Sequence, residues 1–378
     1  MSEYQYYEFR AIDRPLTEEE QQSVAQLSSR IDPHPRRAVF IYHWSGFPGQ
    51  PEEVLARYYD AMLYMANWGS RRLMFRFPKA LVNLDQLEQY RVQTVDYASD
   101  AIAVSTVGEH VVLDIQAEEE EGGEWIEGEG WLAALLGLRD AILQGDYRLL
   151  YLAWLRGLAA EYDVDEEALE PPLPPGLNKL TPALHDFVDL FAVDDDLIQV
   201  AAEASDKVKT VSKDDLRRAI AALAPGEKDA FLLRLAQGEP LLSLAFKQRL
   251  KVLRGIPQGD AASRRTGGDL LAAAQALEER NHREQAAKAE ARRIAELKAL
   301  AQRKEAVWRE ADALIQEAKA KAYDQAVPLL LKLKNLAAYQ KQEAAFQDRL
   351  DQIWKLYRRR HGLLRRLRQA NLISRERG

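Results

Sequence analysis

Residues 101–116 read AIAVSTVGEHVVLDIQ, two β-prone runs that meet at Gly108-Glu109. Both runs are rich in valine and isoleucine, which favour strands. Glycine at the first position of a two-residue turn suits type II′, because that position requires a positive φ. We therefore predict a β-hairpin with strands at about 101–107 and 110–116. An isolated hairpin is marginally stable in water, so further strands are expected upstream.

Three upstream runs have the composition of strands. The opening YQYYEF at residues 4–9 is aromatic, and the run from Ala38 to Trp44 is apolar on both faces, as in a central strand. Residues 72–77 place large apolar side chains at every second position, which predicts a half-buried strand. With the hairpin, these runs supply a predicted sheet of five strands.

Predicted helices separate these strands. Thr17 with Glu20 three residues later forms a capping box for a helix of about residues 18–29. Pro51 suits the first position of a second helix and Gly69 its end, with one apolar stripe of Val54, Tyr58, Met62 and Met65. A short third helix follows the strand at 72–77. The predicted order is β-α-β-α-β-α-β-β, an α+β domain with a mixed sheet over residues 1–117.

The rest of the chain is predicted to be helical. An acidic Gly/Glu loop at 118–129 follows the α+β domain, since its dense like charges repel one another. Residues 130–254 then form a helical module, and residues 255–268, with four glycines and one proline, form a linker. A long helix at 269–322 and a basic helical-hairpin tail at 323–378 follow.

The long helix is predicted from an uninterrupted and periodic stretch of sequence. No glycine or proline occurs from Asp269 to Val327, and a continuous helix over 269–322 would be ~80 Å long. Apolar residues recur at spacings of three and four, which predicts a partly coiled-coil helix through which two copies could associate. The coiled-coil positions are Ile294, Leu297, Ala301, Trp308 and Ile315.

Charge is divided unevenly along the 378 residues, although the net charge is only −7. Residues 1–200 hold 15 basic and 36 acidic side chains, whereas residues 201–378 hold 37 basic and 23 acidic ones. The acidic half should repel nucleic acid and anionic lipid. The basic half could attract either of them, or dock on an acidic surface, including the acidic half of the same chain.

Composition restricts the setting and the chemistry of the protein. The chain has no cysteine, which excludes disulfides, thiolate metal sites and cysteine nucleophiles and fits a reducing cytoplasm. The first residues carry no signal peptide. No stretch approaches ~20 consecutive apolar residues, so no membrane span is expected.

Motifs for common catalytic and cofactor sites are missing from the sequence. None of the six histidines lies in H-x-x-x-H spacing, and His43 beside Trp44 and Ser45 lacks a nucleophile elbow. Neither a phosphate-binding P-loop nor a G-x-G-x-x-G turn is present. The carboxylates at 118–129 could hold a hard cation, but their spacing does not match a Ca²⁺ loop. We therefore predict no catalytic residue, no cofactor and no metal ligand.

The most distinctive positive signal is a cluster of arginines near the C-terminus. Six arginines occur within eleven residues on predicted helices, and they could contact phosphates or an acidic protein, or be solvated at a helix end. They are Arg358, Arg359, Arg360, Arg365, Arg366 and Arg368.

Several short stretches carry a resemblance to known families. About half of the chain resembles a family of uncharacterised bacterial proteins. The resemblance lies in the opening MSEYQYYEF and DRPLT and, further along, in YHW, ANWG, EGWL and EPPLPPGL. That resemblance implies no activity. The tail from Tyr323 to Leu367 is similar to a tail of some bacterial SWIM zinc-finger proteins. Zinc ligands of such fingers include cysteines, so the resemblance implies a shared docking module and not a zinc site.

These observations predict a cytoplasmic, non-enzymatic adaptor or scaffold subunit of a bacterial multi-protein assembly. Protein partners would dock through the helical tail. A nucleic-acid-binding protein that uses the arginine-rich C-terminal helices is the first alternative. A metal-dependent enzyme that uses the carboxylates at 118–129 is the second.

Overall fold

The structure is a computed structural model in two compact units, residues 1–278 and residues 279–378. We call them the N-terminal unit and the C-terminal unit and describe each by itself. The described residues are 3–28, 31, 34–44, 46–91, 101–118, 127–159, 167–207, 212–239, 241–253 and 265–373.

A six-stranded sheet organises the N-terminal unit, in the order β2-β1-β3-β4-β6-β5. All five described pairings between these strands are antiparallel. The strands are β1 (Gln5–Arg10), β2 (Arg37–Tyr42), β3 (Ala61–Ala66), β4 (Arg71–Pro78), β5 (Ile102–Val107) and β6 (His110–Ala117). Three helices lie between them in the sequence, namely α1 (Glu18–Ala25), α2 (Pro51–Tyr58) and α3 (Leu84–Glu88).

Two crossover connections explain the strand order. Because β1 pairs antiparallel with both β2 and β3, those two strands run parallel and α2 carries the chain past β1. In the same way, the connection through α3 passes β6, so that β5 forms the edge of the sheet. The first strand in the sequence therefore has a neighbour on both sides.

The two faces of the sheet bury separate cores. On one face Phe9, Phe40 and Met62 pack with α1 and α2. On the other face Leu63 and Phe75 contribute to a larger core to which several helices add side chains, among them α3 through Leu87. Later in the sequence come α4 (Trp131–Leu143), α5 (Arg148–Leu158), α6 (Pro182–Phe191), α7 (Asp195–Ala204) and the start of α11 (Gly267–Gln302).

Three more helices follow α7 in the sequence: α8 (Lys213–Ala222), α9 (Pro225–Ala236) and α10 (Leu242–Leu253). The third of them joins the main body, because Leu244 packs in the large core and Gln248 Nε2 donates to the carbonyls of Leu81 and Leu143 at 2.7 and 2.8 Å. The first two each pack against this third helix, and α8 shares a separate small core with it.

The C-terminal unit contains residues 279–302 of α11 and, after them, four helices around one core. They are α12 (Lys304–Gln316), α13 (Ala320–Tyr339), α14 (Glu343–Leu356) and α15 (His361–Gln369). Each contributes fully buried side chains, with Trp308, Leu330, Leu350 and Leu367 among the least exposed. Within the described ranges, none of the helices in either unit is long and apolar enough to cross a bilayer.

The predicted α+β class with a helical tail is confirmed, but the sheet is antiparallel where a mixed one was predicted. The prediction also placed a single helix from Pro51 to Gly69. In the structure α2 ends at Tyr58, the chain reverses at Asp60, and residues 61–66 form the central strand β3. The run AMLYMA is apolar on both faces, so its pattern fits a buried strand and a helical stripe equally.

The predicted continuous helix over 269–322 is divided. Helix α11 ends at Gln302, and Ala318 adopts a left-handed φ of 60° that separates α12 from α13. The predicted linker also ends early, because α11 begins at Gly267 and Arg265 pairs with Glu170 at 2.8 Å. Residues 255–264 of that linker lie outside the described residues.

Acid should remove part of the stability of the N-terminal unit through Glu20. Arg14 donates two hydrogen bonds to this carboxylate at 2.6 and 2.7 Å, and the amide of Thr17 donates a third at 2.8 Å. The Arg14 bonds and the capping box lower the pKa of Glu20 from 4.5 to about 2. Because the folded pKa is the lower one, this stabilisation is complete above pH 4.5 and declines as the pH falls towards 2.

The variant Glu20→Gln tests this contribution. We expect it to lose about 1 kcal/mol at pH 7, and this deficit should shrink between pH 4.5 and 2. Urea unfolding at a series of pH values measures the difference. Glu19→Gln on the same helix is the control and should remain within about 0.5 kcal/mol of the wild type. A deficit that does not change with pH would contradict the assignment.

Candidate functional site in the helical tail

The helical packing of the C-terminal unit divides the six arginines into two groups. Helix α15 directs Leu363, Leu364 and Leu367 into the core. Residues on the opposite side of a helix face away from that core, since the period is 3.6 residues. Arg360, Arg366 and Arg368 are half-buried, whereas Arg358, Arg359 and Arg365 are exposed.

Arg360 fixes the junction between α14 and α15 to the end of α12. Its Nη1 donates to the carbonyl of Ile315, in the last turn of α12, and its guanidinium lies 4.5 Å from the ring centroid of Tyr357. Cations suit the carbonyl end of a helix, where free C=O groups and the helix dipole are negative. This side chain therefore stabilises the bundle.

Arg366 joins α15 to α13. Its Nε and Nη2 donate to the two carboxylate oxygens of Asp324 at 2.6 and 3.2 Å, and its Nη1 donates to the carbonyl of Gly362 at 3.0 Å. The bidentate bonds from Arg366 lower the pKa of Asp324 below its ordinary value. The half-buried Arg368 on the same helix is also engaged within the structure.

Two of the three exposed arginines directly follow an exposed leucine in the sequence. Leu356, the last residue of α14, is 73% exposed, and Arg358 and Arg359 lie in the turn that follows it. Arg365 lies on the outer side of α15. Among the described residues, no ion pair or hydrogen bond joins these arginines to another side chain. We call Leu356, Arg358, Arg359 and Arg365 the tail surface.

The sequence analysis did not single out Leu356, although its spacing carried a signal. The apolar stripe of α14 consists of Phe346, Leu350, Ile353 and Tyr357, at intervals of three and four residues. Leu356 lies outside that stripe, so a helical wheel turns it away from the core. Unpaired cations beside a large apolar side chain can bind an acidic segment that also carries an apolar residue.

The predicted coiled-coil positions have two different environments. Trp308 and Ile315 are fully buried in the core of the C-terminal unit, at 1% and 0% exposure. Leu297 is buried as well, whereas Ile294 and Ala301 on α11 are half-buried. For Trp308 and Ile315 the periodic spacing therefore reflects packing within one chain, because both residues pack against helices of the same unit.

Most of the acidic loop at 118–129 falls outside the described residues, which omit 119–126. Of the remainder, the carbonyl of Glu118 accepts a hydrogen bond from Arg156, and the Glu129 carboxylate lies 3.6 Å from Arg37 Nη2. In the described part of the chain, no group of three or more histidine, aspartate or glutamate side chains is placed to hold a metal ion.

A buried ionic network that the sequence analysis missed lies at one end of the sheet. Asp60 accepts hydrogen bonds from the amides of Ile12 and Asp13 at 2.6 and 2.9 Å and from Arg76 at 2.7 Å. Arg139 on α4 is 0% exposed, holds Asp13 with two bonds of 2.7 and 2.9 Å, and lies 3.8 Å from Asp60. The network thereby links two loops and strand β4 to α4.

The charges of this network stabilise one another. Burial alone would raise the pKa of Asp60, but Arg76, the Asp13 amide and Arg139 outweigh it and the pKa lies below its ordinary value. Burial and the nearby Arg76 lower the pKa of His110, which sits at the same end of the sheet. Because the carboxylates already accept several hydrogen bonds each, the network acts as a structural cross-link.

Two cavities occur in the N-terminal unit. One of about 530 Å³ lies between α4, α5 and α6 and is lined mainly by small and apolar residues, including Ala134, Gly137, Ala141 and Pro182. The other, of about 330 Å³, lies beside the sheet between Tyr7, Tyr64, Arg71 and Arg72. In the second cavity Arg72 already pairs with Glu52 and with Asp114, the latter at 2.6 Å, so its charge is neutralised inside the protein.

No protein-family model, curated protein or solved structure matches this chain. The two resemblances described from the sequence therefore stay predictions, and the function is inferred from the residues themselves.

Proposed function

We propose that the protein is a non-enzymatic adaptor that docks a protein partner through the tail surface. The observation that carries this proposal is the exposed Leu356 followed by exposed Arg358 and Arg359, with exposed Arg365 on the next helix, and none of these arginines has an ion pair among the described residues. A surface of this kind suits a partner segment with several carboxylates around one large apolar side chain. The leucine would supply apolar contact at the centre, and the arginines would supply orientation and bidentate hydrogen bonds.

The charge of the C-terminal unit supports the same partner chemistry. Residues 279–378 carry 24 basic and 13 acidic side chains, whereas residues 1–278 carry 28 basic and 46 acidic ones. A positive unit attracts an acidic partner over a distance comparable to the Debye length, about 8–10 Å in physiological salt. The proposed setting is the cytoplasm, which the cysteine-free composition supports.

Nucleic acid is the alternative occupant of the tail surface. Three exposed arginines give fewer phosphate contacts than the six that the sequence suggested, because the other three are committed within the bundle. The slope of log K against log salt would then be about −3. The apolar Leu356 adds nothing to a phosphate contact. An exposed leucine together with arginines therefore favours a protein partner over nucleic acid.

Replacing the three exposed arginines should abolish partner binding and leave the fold intact. The full chain carrying R358A, R359A and R365A is used as bait in a nuclease-treated lysate of the native host, and the captured proteins are quantified by mass spectrometry. We expect the recovery of specific partners to fall at least about tenfold, which corresponds to 1.4 kcal/mol. The melting temperature should change by no more than about 2 °C, because these side chains are exposed.

A matched control removes the same charge from the same unit. Arg283, Arg292 and Arg293 lie on α11 with side chains 78, 84 and 68% exposed, so R283A, R292A and R293A should reduce recovery less than twofold. Equal losses with both triple variants would contradict docking at the tail surface. Binding that requires nuclease-sensitive material and follows a salt slope of about −3 would assign the surface to nucleic acid.

A further inference from the structure

Helices α8, α9 and α10 have too few buried apolar residues for their size. The separate core that they share contains Ala219, Leu223 and Leu250 as buried residues, with Phe246 and Leu253 packed against it. Helix α9 contributes no buried residue to the structure, although it contains one phenylalanine and three leucines. Short helices in water depend on burying an apolar face. In this arrangement the apolar side chains of α9 are not buried, so they do not stabilise the helix.

Exposed apolar side chains occur on all three helices. Their exposed fractions are 64, 61 and 64% for the leucines of α9, 69% for the valine of α10, and 38% for each of the two residues on α8. We call this set the leucine surface. It consists of Leu216, Ile220, Leu232, Leu233, Leu235 and Val252.

The area of the leucine surface corresponds to one side of a stable dimer. At roughly 100 Å² for each of the four most exposed side chains and less for the other two, the exposed apolar area is on the order of 500 Å². A standard interface buries about 800 Å² per partner, of which about 60% is apolar, which again gives on the order of 500 Å². Monomeric proteins seldom expose a patch of this size without a use for it.

The distribution of charge identifies a second copy of the chain as the partner. From Lys213 to Glu239, which covers α8 and α9, the sequence carries five basic and five acidic side chains, and α10 adds Lys247, Arg249 and Lys251. The three helices therefore have a net charge of only +3, so two copies can approach through them with little repulsion. Residues 1–200, with a net charge of −21, and the positive C-terminal unit would each repel a second copy of themselves.

Exposed ion pairs on α8 suit a self-complementary contact. Arg217 pairs with Asp214 at 3.0 Å and Arg218 pairs with Asp215, so both signs of charge alternate next to the apolar residues. In a two-fold symmetric interface, each residue on one copy meets a residue of the same surface on the other. In such an interface the charges of α8 on one copy can pair with opposite charges on the other. A strongly charged partner would find few unmatched charges on this surface.

We propose that the leucine surface is the interface of a homodimer with two-fold symmetry, formed by α8 and α9 with the exposed valine of α10. Self-association is thereby assigned to these helices in place of the predicted coiled coil. The proposal does not depend on the tail surface, which lies in the other unit.

Sedimentation velocity of the full chain from about 1 to 100 µM tests the interface. We expect the wild type to approach twice its chain mass of 43.0 kDa as the concentration rises. The double variant L232E and L235E should raise the dissociation constant at least about 30-fold and sediment as a monomer, because it places four carboxylates in one small interface. Circular dichroism of the variant checks that its helices remain folded.

The control variant is L356E, which places a glutamate at an exposed helical leucine in the C-terminal unit. This variant should dimerise like the wild type but should no longer bind the partner of the tail surface. Dimerisation and partner binding therefore test the two proposals separately. A wild type that is monomeric throughout this range would overturn the homodimer. A dimer that is insensitive to L232E and L235E would overturn the assignment of its surface.

A conservative substitution keeps the test valid if the charged variant unfolds. Because the chain has no cysteine, Leu235→Cys introduces a single thiol on α9. A short bismaleimide should then link two copies covalently, whereas the same treatment of Leu356→Cys should leave the chain as a monomer on denaturing gels. Equal cross-linking of both variants would contradict the proposal.

Discussion

Replacing Arg139 by methionine should destabilise the N-terminal unit by about 3–5 kcal/mol. The guanidinium is 0% exposed and donates two hydrogen bonds to Asp13 and one to the carbonyl of Arg76 at 2.9 Å. Methionine retains much of the volume but leaves Asp13 and a buried carbonyl without their partner. Removing one member of a buried pair costs the desolvation of the other, which is why the expected loss is large.

Peptide-resolved hydrogen exchange by mass spectrometry measures this loss in each unit separately. Protection should fall across the ends of β3 and β4 and along α4, while peptides from the C-terminal unit keep the wild-type exchange rates. Arg217→Met is the control, because its exposed pair with Asp214 is worth about 0–1 kcal/mol. A loss below about 1 kcal/mol for Arg139→Met would show that the network does not cross-link the sheet to α4.

Replacing Trp308 by alanine should destabilise the C-terminal unit by about 3–5 kcal/mol. The indole is 1% exposed, its ring centroid lies 5.6 Å from that of Phe346, and the Arg349 guanidinium lies 4.4 Å from the ring centroid. The variant therefore loses a large buried surface, an aromatic contact and a cation–π contact between α12 and α14. Thermal unfolding followed by hydrogen exchange should show the loss in residues 304–369 alone.

Two comparisons make the Trp308 prediction specific. Trp44→Ala removes the same side chain from a position that is 80% exposed, and it should change the stability by less than about 0.5 kcal/mol. The loss in Trp308→Ala should also be independent of protein concentration, because the residue packs within one chain. A loss that depends on concentration would indicate that Trp308 lies in a coiled coil between two chains.

Local signals predicted most of the elements of the N-terminal unit. The capping box at Thr17 and the glycine turn at Gly108 each depend on residues a few positions apart. The strand β3 was missed because its local pattern is ambiguous. Its identity is decided by pairing with β1 and β4 on either side, and the sequence pattern of residues 61–66 alone does not contain that information.

Contacts between distant residues limited the prediction of the candidate site. The sequence grouped six arginines by proximity along the chain, but Arg360 and Arg366 are held by Ile315 and Asp324, which lie 45 and 42 residues earlier. The pairing of Arg139 with Asp13 spans 126 residues, and no spacing rule connects them. The sequence pointed to candidate residues where charge was dense. It did not point to Leu356 or to the leucines of α9, because their exposure depends on the packing of the helices.

The position of β1 has a consequence for synthesis of the chain. Strand β1 is synthesised before β3, one of its two neighbours, which ends at Ala66. Until that point has been translated, one side of the nascent strand has no partner and is open to chaperones or to other nascent chains.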